Sequence, residues 1–273
     1  MDQDPYNATL VERIDFNPEL AEFRVKLDDG TVPEYEPGQF ATLGLLAPPE
    51  QQPTQEPKPG SHRRRGPKLT RRAYSIATAP GNPDWTGFYI VKVEGGALTP
   101  RLFEMTPGDR LFMGTKITGH FTLEGVPDGK NLVMIGTGTG FAPYRAMYYH
   151  LRERKPWKHF VLFDGCRYAR DLGYRDEFEQ LARDDQTLTY IPTVTREPND
   201  SDYDGIRGRV TEHLEPDAFR QLTGIDLSPE DCHVFLCGNP QMIDQCEEML
   251  TARGFVTKDR EHPDGNIHLE RYW

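Results

Sequence analysis

Short β-prone runs separated by turn residues fill the first half of the chain. Ala8–Ile14 and Phe23–Leu27 read as strands, and Asp28-Asp29-Gly30 is a turn signal after them. Pro37-Gly38 turns into a further strand at Phe40–Leu43, and Thr86–Glu94 is another, with Phe88, Ile90, Val91 and Val93 as its apolar positions. Pro107-Gly108-Asp109 precedes one more at Arg110–Met113. Short strands at this spacing predict a small barrel. Around Gly125–Lys130 the texture changes. Apolar runs at Asn131–Ile135, His159–Phe163, Leu188–Val194 and Cys232–Cys237 alternate with helical stretches near Tyr144–Arg154, Asp176–Arg183 and Gln241–Arg253. That alternation predicts a parallel α/β sheet. The pattern divides the chain into a barrel domain, residues 1–126, and an α/β domain, residues 127–273.

One segment fits neither texture. Residues 47–70 are rich in Pro and Gln and then basic, with His62-Arg63-Arg64-Arg65-Gly66-Pro67-Lys68. They lack periodicity and read as an exposed loop inserted in the barrel half. A tolerated surface insertion accounts for it first, because long surface insertions cost little. A basic docking loop for an acidic partner or a nucleotide phosphate is the sharper account.

Composition narrows the class. A chain of 273 residues allows two domains with real cores. No apolar run approaches a membrane span, and Met1-Asp2-Gln3-Asp4-Pro5 lacks the apolar region of a signal peptide. A cytoplasmic monomer, off the membrane, is the expectation. The net charge of −11 argues against nucleic-acid binding. Cys166, Cys232, Cys237 and Cys246 form no CxxC pair and fit no common zinc or iron–sulfur spacing, so no metal is expected. They read as thiols in a reducing compartment.

Chemistry concentrates in a few stretches. Arg71-Arg72-Ala73-Tyr74-Ser75-Ile76-Ala77-Thr78 packs two cations, an aromatic ring and a hydroxyl into one β-prone run. Arg72 and Tyr74 share a strand face, with Ser75 beside them. A flavin nucleotide needs a cation at its pyrophosphate, a flat ring at its isoalloxazine and a small hydrogen-bonding group at N5. An ordinary strand with solvated arginines is the plain alternative. Gly95-Gly96-Ala97-Leu98-Thr99-Pro100 predicts a helix start with Thr99 as N-cap and Pro100 at the first helical position. Free amides there suit a phosphate, or simply begin a helix.

In the second half, Gly136-Thr137-Gly138-Thr139-Gly140-Phe141-Ala142-Pro143 follows the first strand. Its glycines let the backbone approach a pyrophosphate, although their spacing is not GxGxxG. Asp164, before Gly165, reads as a turn residue in preference to a ribose-binding acid. Arg196 follows a strand, and Arg209 lies in a Gly-bounded loop. Their forked guanidinium groups suit a phosphate, or are solvated. Cys237 ends a strand where active-site groups collect, or is a structural thiol. The terminal Ile267–Trp273 carries aromatics that need a partner surface, either core or a planar ligand.

Arg72-Ala73-Tyr74-Ser75, Gly96-Ala97-Leu98-Thr99, Gly136–Pro143, Cys237-Gly238-Asn239-Pro240-Gln241-Met242 and Tyr272-Trp273 together resemble the ferredoxin–NADP⁺ reductase family, bacterial type. The likeness runs from about Ala8 to Trp273. It implies an N-terminal antiparallel six-stranded β-barrel that binds FAD and a C-terminal α/β domain, with a parallel five-stranded sheet, that binds NADP(H). By the same resemblance Arg72 binds FAD phosphate, Tyr74 stacks on the flavin and Ser75 bonds N5, with Ala73 between them. The backbone of Gly96, Ala97, Leu98 and Thr99 holds the FAD pyrophosphate. Thr137 and Gly138 face the NADP pyrophosphate, with Gly238 and Asn239 nearby and Arg167, Arg196 and Arg209 at the 2′-phosphate. Cys237 and Glu270 sit near the nicotinamide and, with Ser75, form the catalytic set. Tyr272 covers the other flavin face and Trp273 stacks on the adenine.

The implied reaction passes a hydride between NADP(H) and FAD, and single electrons between FAD and ferredoxin or flavodoxin. Ser75 and Glu270 would handle the N5 proton. The loop over residues 47–70 is longer than the family pattern, and Asp164 is unexpected near a phosphate-bearing ribose. A flavin reductase or oxygenase-system reductase is the rival enzyme. A non-turnover FAD-binding electron-transfer or nucleotide-sensing subunit is the rival of another class.

Overall fold

The structure is a computed structural model that describes residues 4–48 and 68–272. Most of the basic insertion, and Trp273, therefore lie outside the described residues. Among those described, no helix is long and apolar enough to cross a membrane.

Six antiparallel strands build the first half: β1 (Ala8–Asn17), β2 (Leu20–Leu27), β3 (Phe40–Leu46), β4 (Leu69–Ser75), β5 (Thr86–Val91) and β6 (Arg110–Met113). They lie in the order β4-β3-β6-β1-β2-β5. The two outer strands meet just past the end of β4. Ile76 bridges to Phe88, and the Ala77 amide donates to the Gly87 carbonyl at 2.8 Å. Closure pairs edge groups that would otherwise be exposed. The interior fills with buried apolar side chains, among them Leu10, Phe23, Val25, Leu43, Phe88, Leu111 and Met113.

One short helix, α1 (Thr99–Leu102), links β5 to β6. Here the expectation for Thr99 is corrected. Thr99 is the first helical residue rather than the cap, and its Oγ1 accepts from the Val93 amide at 2.9 Å. The tight turn through Gly95 (φ +71°) folds Val93 back onto that hydroxyl.

The second half is a parallel sheet of six strands rather than five: β7 (Asn131–Thr137), β8 (Phe160–Cys166), β9 (Leu188–Val194), β10 (Ile206–Arg207), β11 (Cys232–Gly238) and β12 (Ile267–Arg271). Their order is β10-β9-β8-β7-β11-β12. The count rises because two segments that the apolar runs do not mark, β10 and β12, pair at the two edges of the sheet. Ile267 and Leu269 pack into the core on one face, and β12 pairs along β11 with Cys237 opposite Glu270. β10 is only two residues long.

Helices α2 (Ala142–Leu151), α3 (Arg175–Asp184), α4 (Pro216–Thr223) and α5 (Pro240–Thr251) cover the sheet. Alternate strand residues serve opposite faces. Val133, Ile135, Val161, Phe163 and Leu236 pack with Phe219 of α4 and Ile243 of α5. On the other face, Leu132, Met134, Leu162 and Phe235 pack with Tyr144, Met147 and Phe178. That layer continues into Leu20, Ala77 and Tyr89 of the barrel. The two halves thus share a core layer.

Polar groups inside this junction are paired. Glu22 on β2 is 1% exposed. It accepts from Arg24 Nε at 2.7 Å and from the Tyr174 hydroxyl, just before α3, at 2.8 Å. The Tyr89 hydroxyl accepts from the Gly173 amide at 3.0 Å and donates to the Asp171 carbonyl at 3.3 Å. A buried carboxylate that loses a donor keeps its desolvation cost. Tyr174→Phe keeps the ring against Tyr89, 4.5 Å between centroids, but removes the bond to Glu22. It is expected to lower unfolding free energy by about 1–3 kcal/mol. A urea titration checks this: the midpoint should fall while the slope stays constant.

Candidate active site

Three candidate residues far apart in sequence meet at the junction. Ser75, the last residue of β4, is buried, and its hydroxyl donates to Glu270 Oε2 at 3.1 Å. Cys237 lies opposite Glu270 on β11 and donates its thiol proton to the same oxygen at 3.8 Å. Burial raises the Glu270 carboxyl to about 7, although the bonds from Ser75 and Cys237 pull it down. It therefore exchanges a proton near neutral pH. Burial, and then the charge of Glu270, push the Cys237 thiol well above its usual range. Cys237 is a protonated donor here, not a thiolate nucleophile. Tyr272, half-buried, follows Glu270 by two residues, and its hydroxyl donates to the Thr139 carbonyl at 3.1 Å. Trp273 is outside the described residues.

The glycine turn after β7 and the end of β11 interlock. Thr137 ends β7, and a 3₁₀ turn over Gly138–Phe141 leads into α2. A Cβ on Gly140 would lie 2.4 Å from the Cys237 carbonyl oxygen, so only glycine allows this approach. Thr137 Oγ1 accepts from the Asn239 amide at 2.9 Å, and Asn239 Oδ1 caps α5 through the Gln241 amide at 2.8 Å. A Cβ on Gly238 (φ +125°) would meet Thr137 Oγ1 at 2.4 Å. The structure thus brings Thr137, Gly138, Gly238 and Asn239 together at the C-terminal edge of the sheet.

The three arginines divide. Arg167 and Arg196 are exposed beyond β8 and β9, and the Arg196 amide donates to the Arg167 carbonyl at 2.8 Å. Arg209 instead faces a cavity of about 580 Å³ shared with Glu212, Glu215 and Glu248. Arg207, which carries no motif in the sequence, holds the loop over residues 197–203. Its guanidinium donates to the carbonyls of Glu197 at 2.7 Å and of Pro198 and Tyr203 at 3.2 Å. Its flanking Gly205 and Gly208 were the available signal.

Asp164 is not a turn residue. It lies inside β8 at 3% exposure and accepts from the Tyr190 hydroxyl at 2.8 Å. Burial raises its carboxyl to about 7. It belongs to the shared core and does not face a surface ribose.

On the barrel side, Arg72 and Ala73 are exposed, and Arg72 Nη1 donates to the Arg71 carbonyl at 2.7 Å. β3 sets Ala41 opposite Tyr74 and Phe40 opposite Ser75. The Tyr74 hydroxyl is buried with no partner among the described residues, and burial pushes it up to about 12. Nη1 of Arg101 is likewise buried and unpartnered. The sequence reading missed Arg101, whose signal was a cation directly after Pro100. Two orphaned donors on the barrel fit a ligand rich in acceptor oxygens, because an unmet buried donor is costly. Gly96 and Ala97 leave their turn open to solvent, while Leu98 and Thr99 are buried. These residues fit a flavin nucleotide.

Comparisons with known proteins agree with this layout. The family of oxidoreductase NAD-binding domains matches residues 134–248. Ferredoxin–NADP reductase B of Sorangium cellulosum is 32% identical over 269 residues, covering 98% of each chain. Flavodoxin/ferredoxin–NADP reductase of Escherichia coli is 30% identical over 236 residues, covering 86% of this chain and 87% of that one. Among solved structures, a ferredoxin NADP⁺ reductase from Neisseria gonorrhoeae with bound FAD and NADP has the same fold. Its TM-score is 0.81 at 23% identity, over 99% of this chain and 100% of that one.

The geometry makes a pH prediction. Glu270 has a folded-state value of about 7 against an ordinary 4.5. The folded state therefore holds this proton more tightly than the unfolded chain does. Stability from that proton is present below 4.5 and is lost as pH rises through 7. Glu270→Gln, which stays neutral, should gain on the wild type as pH rises across that window and then level off. Urea midpoints of the two proteins across the window check this; a constant gap contradicts the raised value.

Proposed function

The chain belongs to the flavodoxin/ferredoxin–NADP reductase family, and from that premise we infer that it is an FAD-dependent oxidoreductase working between NADP(H) and ferredoxin or flavodoxin. When bound, FAD supplies the exchange between a two-electron hydride and single electrons. The protein's own residues bind, orient and manage the proton. Residues 1–126 form the flavin half and 127–273 the nucleotide half in this reading.

The observation that carries the reading is the bond from Ser75 to Glu270. It joins the strand of the Arg72-Ala73-Tyr74-Ser75 motif to a strand beside the nucleotide turn. When Glu270, poised near neutral, is protonated it can donate to Ser75 Oγ, which frees the hydroxyl proton to turn to the flavin edge, and the pair would pass or take back a proton there. Cys237 holds the Glu270 oxygen in place. Tyr74 and Tyr272 offer flat rings, and Arg72 a cation for the FAD phosphates. The amides of Ala97, Leu98 and Thr99 are the backbone donors at that end; the Gly96 amide is spent on the Val93 carbonyl at 2.9 Å, so Gly96 contributes the turn itself.

Thr137 and Gly138 present backbone to the NADP pyrophosphate, with Gly238 and Asn239 closing the edge. Arg167 and Arg196 form the nearer pair for the 2′-phosphate. Arg209, which lines a cavity with Glu212, Glu215 and Glu248, is the third candidate. Tyr272 must leave the Thr139 carbonyl for a nicotinamide to take its place, so the terminus acts as a gate. Four buried, unpaired thiols suit a reducing compartment, and the reading keeps the protein a cytoplasmic monomer.

Purified protein should carry FAD and pass electrons from NADPH to ferredoxin or flavodoxin. Ser75→Ala should keep its FAD and reduce it about 100-fold more slowly at saturating NADPH. Full speed in that variant contradicts the role of the hydroxyl. A wild type that holds FAD but transfers nothing favours the non-turnover subunit.

A further inference from the structure

The shared core layer holds a charged side chain that no step above employs. Arg145 lies on α2, the helix fed directly by the Gly138–Phe141 turn. Its side chain is 12% exposed. Nε donates to Glu177 on α3 at 2.9 Å, and Nη1 donates to the Ala77 carbonyl at 3.0 Å. The rings of Tyr174 and Tyr149 lie 4.8 and 5.0 Å from the guanidinium. Burial works against its charge, but Tyr174, Glu177 and Glu22 more than offset that, so the group stays a cation.

Ala77 is the notable partner. It is fully buried, two residues past Ser75, and its own amide is spent on closing the barrel. We propose that Arg145 is a positioning residue for hydride transfer: it ties the flavin-strand segment Ser75–Thr78 to the helix that begins at the nucleotide turn, and so sets the separation of the two bound cofactors. The proposal rests on the reductase reading above.

The segment is held from the α/β half at two points. Glu270 holds it at Ser75, and Arg145 holds it at Ala77. In extended chain those points are roughly 7 Å apart. One tie alone leaves the segment free to pivot, whereas two fix its angle to the sheet. A guanidinium suits the task because its rigid fork serves the carbonyl and the Glu177 carboxylate together, while an ammonium is a single point charge. The tie also spans both sides of the reaction. In the reductase reading the pyrophosphate end of the nucleotide would rest on the turn that starts α2, and the flavin edge on Ser75. Hydride transfer is steep in distance, and a misplacement of about 1 Å costs roughly 100-fold.

Arg145→Met and Arg145→Lys test the tie in flavin-loaded protein. NADP⁺ affinity is read from the difference spectrum, and the limiting rate of flavin reduction from stopped flow. Amide exchange at Ile76 and Ala77 is followed by mass spectrometry. Arg145→Met should bind NADP⁺ within about twofold of the wild type while its limiting rate falls at least about tenfold. Ile76 and Ala77 should exchange faster, and Arg145→Lys should recover part of both effects. An unchanged limiting rate, or a loss matched by equally weaker NADP⁺ binding, overturns the proposal. If Arg145→Met does not fold, Arg145→Lys carries the same comparison. If NADPH does not reduce even the wild type, the reductase reading fails. The exchange data then still decide whether Arg145 holds the segment: unchanged exchange overturns the tie and faster exchange supports it.

Discussion

Four residues, Ser75 to Thr78, must satisfy both halves of the molecule at once. The Ile76 amide bonds to Gln39 at 3.0 Å and the Ala77 amide to Gly87 at 2.8 Å, closing the barrel. The Thr78 hydroxyl accepts from the Gly87 amide at 2.8 Å. From the other half, Glu270 meets Ser75 and Arg145 meets the Ala77 carbonyl. Backbone groups buried at a junction must be paired, and here the partners come from β5, β12, α2 and Gln39 just before β3. The candidate active site is therefore placed by the same bonds that close the barrel and dock the sheet. Sliding one half against the other would break pairs that no water could replace.

The buried ionisable groups around this point fall into two kinds. Glu22 with Arg24 inside the barrel half, and Arg145 with Glu177 inside the α/β half, are ion pairs, and one member of each also reaches across the junction, Glu22 to Tyr174 and Arg145 to the Ala77 carbonyl. Among the described residues Glu270 has no cation partner and meets a hydroxyl and a thiol, so burial dominates and its carboxyl sits at about 7. That contrast separates paired charge from a carboxyl poised to exchange a proton. His233 and His268 show that a shifted value alone is not a function. They lie 3.2 Å apart, and burial lowers them to about 4 and about 3. His268 stacks on Phe235 at 4.0 Å, so the pair serves as neutral core near pH 7.

The sequence reveals this architecture unevenly. Features set by local chemistry were legible: the glycine turn over Gly136–Gly140 and the strand that carries Tyr74 and Ser75. Each announces itself through backbone chemistry or side-chain type within a few positions. Groups whose role is set by docking were not. Glu22 sits in an ordinary strand, and nothing near it signals that Tyr174, 152 residues on, will reach it. Arg145 reads as one more polar residue in an amphipathic helix. The Ile267–Arg271 segment is too short to stand out, and it becomes a strand only because β11 offers an edge. Asp164 looked like a turn because Gly165 follows it, but parallel pairing on both sides carries β8 through that glycine to Cys166.

The central claim is that the junction brings a flavin and a phosphorylated nicotinamide nucleotide together for hydride transfer. Anaerobic titration with NADPH, with NADH in parallel and the visible spectrum as readout, tests it most directly. The account predicts a yellow protein that NADPH bleaches much faster than NADH does. Protein that takes up no flavin, or whose bound flavin ignores both nucleotides, would contradict it.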